Sequence, residues 1–172
     1  MFSNAPHDYQ CPFCLLSAGI ENKWVSSRRS DIVYEDEMIM AFICSRQWPD
    51  NKGHVLIVPR KHYENIYDLP DFLAGEIHAM ARKIAIVMKL AYRCDGITIR
   101  QHNEKHGNQE VWHYHLHVFP RYRRDSLYET LEGNIMPATE RAGYADLLRL
   151  FLNKGQPIVE SPPGQGTTAE IQ

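Results

Sequence analysis

The sequence predicts an α+β fold: an antiparallel sheet of about five strands, with one long helix and a C-terminal helix. Three observations predict it. Short β-branched and aromatic runs come in two groups, before and after residues 70–93. Those residues carry apolar side chains at helical spacing. The chain then closes on a second helical face rather than alternating strand and helix.

The first ten residues are polar and expected to be flexible, and LLSAGI after Cys14 suits a short helical turn. Residues 32–35 (IVYE) and 38–44 (MIMAFIC) read as strands forming a hairpin across Asp36-Glu37. A loop follows at 45–53, with Pro49 and Gly53, and then a third strand at 54–59 (HVLIVP). Pro70 suits the first turn of the long helix, whose stripe is Leu73, Ile77, Met80, Ile84, Val87 and Ala91. Residues 96–102 (GITIRQH) form a strand, 103–110 a polar turn, and 111–119 (VWHYHLHVF) an alternating strand ended by Pro120. The final helix covers 140–153, with Tyr144, Leu147, Leu148 and Phe151 on one face. From Gly155 the tail holds three prolines and three glycines, and is expected to be disordered or to lie extended on a neighbour.

A chain of 172 residues suits one domain, here expected at 11–154. A formal net charge of −2 gives no global field favouring nucleic acid. Apolar runs such as IAIVM at 84–88 are too short to cross a bilayer, and no export-type leader is visible. With four cysteines and no disulfide framework, the expected location is cytoplasmic.

The chemistry concentrates in His113, His115 and His117. Side chains at every second position of a strand share one face, and Trp112, Tyr114, Leu116 and Val118 take the other. Composition alone gives roughly 0.02 such runs per chain. Aligned imidazoles need hydrogen bonds, a metal or a catalytic role. One reading is zinc ligation by this run, giving a metal-dependent hydrolase. Another is nucleophilic attack on phosphorus by a neutral imidazole, through a labile phosphoramidate. A third is a solvent-exposed polar face on an edge strand, with no chemistry of its own. Cys11-Pro12-Phe13-Cys14 is half of a tetrahedral zinc site or a redox pair, and spacing alone does not choose its partners.

These residues resemble the histidine-triad family. His113-Tyr114-His115-Leu116-His117-Val118-Phe119, followed by Pro120-Arg121, is similar to its signature. Gly53-His54-Val55-Leu56-Ile57-Val58-Pro59-Arg60-Lys61-His62 is similar to its upstream block. The resemblance implies a homodimer with the HIT-like α+β fold and a small-molecule nucleotide substrate. It implies hydrolysis or nucleotidyl transfer at the α-phosphate, of a nucleoside phosphoramidate or a dinucleoside polyphosphate. His115 would be the nucleophile, with His117 and His54 beside the phosphate, and Asn103 and Gln109 binding substrate. A structural zinc on Cys11, Cys14, His62 and His113 is implied, and no organic cofactor.

Two positions depart from the family, and they keep open the alternative of a non-catalytic nucleotide-binding module that retains the fold. Cys44 falls near its ribose-gripping aspartate, and Glu110 stands where a small hydroxyl residue precedes the triad. Trp48 suits either base stacking or plain packing. Arg121, Arg123 and Arg124 suit either a distal phosphate or a solvated loop.

Overall fold

The β-branched runs pair edge to edge in a computed structural model that describes residues 2–129 and 133–154. The expectation for the tail at 155–172 lies outside the described residues. Strands β1 (Ile32–Glu35), β2 (Ile39–Ile43), β4 (Val55–Pro59), β5 (Gly96–Gln101) and β6 (Leu116–Arg121) form one sheet in the order β1-β2-β4-β6-β5. Every pairing in it is antiparallel. The remaining strands, β3 (Arg46–Gln47) and β7 (Asn134–Ile135), pair with each other.

The hairpin between β1 and β2 closes without a glycine. The Asp36 carboxylate accepts from the backbone N–H groups of Met38 and Ile39, at 2.8 Å each, which is an Asx turn. One sheet face packs Ala41, Ile43, Val55, Ile57, Leu116 and Val118 against helix α2 (Asp71–Ala91) through Leu73, Ile77, Met80, Ile84 and Val87. Helix α3 (Ala138–Asn153) adds Ala145 and Leu148 to this layer. The other face packs Met40, Phe42, Leu56 and Val58 against Phe13 and Leu16 of the short helix α1 (Pro12–Ser17).

The last expected strand needs correction. The sheet ladder starts at Leu116 rather than 111, because pairing from both neighbours stops there, at Ile57 and Gln101. Before it, the backbone bonds elsewhere: Trp112 N–H donates to the Tyr9 hydroxyl and Tyr114 N–H to the Tyr63 carbonyl. The alternation persists from Tyr114, with Tyr114, Leu116 and Val118 in the α2-side core, whereas Trp112 is half-buried and lies outside it. Pro120 does not end the strand. It pairs Ile97 of β5, while the β4 ladder has already finished at Val118, so its missing N–H breaks no bond on that side.

The 45–53 loop is held by buried polar side chains. Gln47 Nε2 donates to the carbonyls of Cys44 (2.6 Å) and His54 (3.1 Å), and its Oε1 accepts from His54 N–H at 3.0 Å. Asn51 Nδ2 donates to the Pro120 carbonyl at 2.8 Å. Gly53 re-enters β4 with φ +87°, where an added Cβ would meet the Tyr92 ring at 2.7 Å. Arg141 of α3 is buried and ion-paired with buried Asp31 at 2.9 Å, tying the helix to the segment before β1.

Candidate active site and metal centre

Register brings the site together. Phe42, Leu56, His117 and Arg100 form one cross-strand row through β2, β4, β6 and β5. With the α2 layer on the opposite face, this row floors a cleft of about 510 Å³. Its lining includes His54, His115, His117, His102, Cys44, Trp48 and Glu110.

His115 is 5% exposed, and its Nδ1 donates to the His113 carbonyl at 2.7 Å. This fixes the tautomer and leaves the Nε2 lone pair free. Burial holds its imidazole down to about 4. His117 Nδ1 lies 3.0 Å from His54 Nε2, and the two rings stack. Burial pulls His54 down to about 3 and His117 well below its ordinary range, with neighbouring imidazoles adding to the effect on His117. All three rings are therefore neutral near pH 7. His102 stands edge-on to His117 at 5.3 Å between ring centres.

Asn103 and Gln109 lie outside the cleft lining and are spent on loop structure. Asn103 Oδ1 accepts from Ile66 N–H at 2.9 Å. Gln109 is buried; its Nε2 donates to the Glu64 carbonyl and its Oε1 accepts from Glu104 N–H. Burial pushes the Cys44 thiol up to about 12, so it lines the cleft as a neutral group. Trp48 packs edge-on against His54 and Phe119. Arg121 is occupied by Asp125, at 2.6 Å.

His113 faces a different group. Its Nε2 donates to the Pro59 carbonyl at 2.9 Å, leaving Nδ1 toward Cys11 Sγ at 3.2 Å and Cys14 Sγ at 3.6 Å. His62 Nδ1 is 3.4 Å from Cys14 Sγ. The four donor atoms lie within 4.8 Å of one another. Zinc bonds of about 2.3 Å to sulfur and about 2.0 Å to nitrogen imply tetrahedral S···N edges of about 3.5 Å, so this donor set fits that ion. The hydrogen bond from the Cys14 thiol, helped by His113 and His62, draws the Cys11 thiol strongly down toward thiolate. Among the described residues this is the one Cys/His/carboxylate cluster close enough to share an ion. With both its nitrogens so engaged, His113 is separated from the cleft imidazoles that the zinc-hydrolase reading would group with it.

Fold and site together define a class: an antiparallel sheet with convergent neutral imidazoles on and immediately before its central strands, beside a thiol–imidazole cluster. Residues 26–124 match the HIT domain family, and the chain belongs to that family. It is 41% identical over 95 residues to an uncharacterized HIT-like protein of Methanocaldococcus jannaschii, covering 55% of this chain and 70% of that one. It is 36% identical over 73 residues to the adenosine 5'-monophosphoramidase of Saccharomyces cerevisiae, covering 42% and 44%. The structure of a Zn-bound histidine triad family protein from Mycobacterium smegmatis superposes with TM-score 0.68 at 28% identity, covering 84% of this chain and 94% of that one.

Sequence reasoning missed Gln47 and Arg100. Gln47 gave no signal, since a loop glutamine looks solvated until its carbonyl partners are known. Arg100 carried one weak signal: it stands at even spacing from His102 on the strand that pairs the histidine run.

Proposed function

We propose that the chain is a nucleotide hydrolase or nucleotidyl transferase working through a nucleotidyl-histidine on His115. The observation carrying this reading is the 2.7 Å bond from His115 Nδ1 to the His113 carbonyl, which presents a neutral Nε2 beside His117. His115 Nε2 forms a bond to the α-phosphorus as the bond to the leaving group breaks. One N–H of the neutral His54–His117 pair is spent on the 3.0 Å bond between the rings; with His54 Nε2 donating it, the His117 Nε2–H is left to donate to a phosphoryl oxygen in a water-poor site. Water or another acceptor then takes the nucleotidyl group and frees His115. Likeness to a named adenosine 5'-monophosphoramidase supports this chemistry. Zinc on Cys11, Cys14, His62 and His113 supplies a structural clamp and takes no part in these steps.

The test is mass spectrometry of protein quenched during turnover of adenosine 5'-phosphoramidate. The expected result is a mass gain of one adenylyl group on His115, absent in His115→Ala together with release of adenosine monophosphate. Tight binding without an adduct or turnover would make the chain a binding module and overturn the proposal.

A further inference from the structure

The ends of the cleft differ in chemistry. Val25, Phe42 and Leu56 make one end apolar. At the other, Arg100 of β5 stands directly opposite His117 of β6, so both side chains rise from the same face. The Arg100 guanidinium carbon lies 4.5 Å from the Phe119 ring centre, 5.7 Å from Tyr128 and 5.9 Å from Trp48. Its Nε is buried with no hydrogen-bond partner, and among the described residues no carboxylate pairs with it. Arg121 adds a second positive charge nearby, although its own guanidinium is bound to Asp125. Glu110 lines the same cleft but is exposed.

A half-buried guanidinium without an anion is costly to keep. Arginine also presents a fork that matches phosphate oxygens, and aromatic packing holds that fork in place. Arg100 and His117 sit on adjacent strands, ~4.8 Å apart. That step passes from a phosphorus held at His117 to the next group along the substrate.

We propose that Arg100 is a specificity-determining residue that binds the first phosphate beyond the scissile bond, so that this cleft selects a phosphate chain as leaving group over an amine. The inference rests on nucleotidyl transfer to His115. With a dinucleoside triphosphate, His115 Nε2 forms the P–N bond and the bond from the α-phosphorus to the bridging oxygen breaks. The electron pair stays on that oxygen, and a nucleoside diphosphate anion departs one strand from Arg100. The nitrogen of a phosphoramidate leaves as a neutral amine after taking a proton from solvent, which the later attack of water returns, and offers Arg100 no anion.

The test measures kcat/KM of the full chain on diadenosine triphosphate and on adenosine 5'-phosphoramidate, for wild type, Arg100→Gln and Arg100→Lys. A charge-assisted hydrogen bond corresponds to about 10- to 100-fold, and the triphosphate-to-phosphoramidate ratio falls by that factor in Arg100→Gln. Arg100→Lys, which keeps the charge, recovers part of the ratio and serves alone if the glutamine variant fails to fold. An unchanged ratio in the folded variants overturns the role of Arg100. Should wild type turn over neither substrate, nucleotidyl transfer is what fails. Calorimetry with pyrophosphate then tests Arg100 separately: binding weakened in the variants upholds the anion site, and equal binding removes it.

Discussion

His54 is fully enclosed, its ring stacked on Phe119 with centres 3.8 Å apart and on His117 at 5.1 Å. Burial is the main reason its imidazole protonates only near about 3, against 6.5 for a solvated ring. Between those values the unfolded chain binds more protons than the folded one. Stability from this group is therefore fully present above pH 6.5 and drains as pH falls toward about 3. By pH 5 the loss from His54 alone is about 2 kcal/mol. Melting temperature is expected to drop between pH 7 and pH 5, and to drop less in His54→Gln. Thermal melts at both pH values check this, and the same drop in the variant would refute it. At this scale the histidines were legible because their run is rare and their spacing uniform. Arg100 was not, since an unpaired cation is a property of its surroundings and any strand arginine looks solvated in sequence.

At the scale of elements, periodicity located β5, α2 and α3 to within a few residues. It could not give β5 its place at the sheet edge, because strand order depends on which segments α2 lets meet. Among the described residues, the outer side of β5 has no partner strand. Most of its residues are half-buried, and Ile99 is 44% exposed. Proteins protect such edges with lysine, proline or a covering element, and β5 carries neither residue. Its one cation, Arg100, is turned into the cleft. A second copy of β5 about a two-fold axis would satisfy the open ladder, and this supports our reading of the chain as a homodimer. Sedimentation velocity at micromolar concentration is expected to give twice the chain mass for wild type, with Ile99→Lys shifted toward monomer. A wild-type monomer would exclude the dimer. The start of β6 misled the sequence for a related reason: side-chain alternation is local, but a ladder begins where both neighbours begin, and here that is Leu116.

Across the whole molecule, the α2 layer is stabilised by a continuous apolar core, whereas the opposite face depends on a small helix and a cluster of polar ligands. Phe13 lies between the two cysteines, 5.4 Å from Phe42 and 5.4 Å from His115 between ring centres. Whatever anchors Cys11 and Cys14 thus also seats the ring that packs on the proposed nucleophile. The CPFC motif showed half of this anchor. The other half comes from residues 48 to 102 positions away, beyond what spacing can assign. A bound metal there closes long loops in the folded state that the unfolded chain lacks, so its binding energy adds to folding. One zinc per chain is expected by elemental analysis, and none in Cys11→Ser. The variant should melt at lower temperature and exchange amide hydrogens faster over residues 11–17 and 111–115, with α2 unchanged because its contacts lie on the other face. Activity should fall with them, through Phe13 and the His113 carbonyl that orients His115. A metal-free chain with unaltered melting and exchange would show that the cluster is a set of reduced thiols and imidazoles, and that packing alone holds α1 to the sheet.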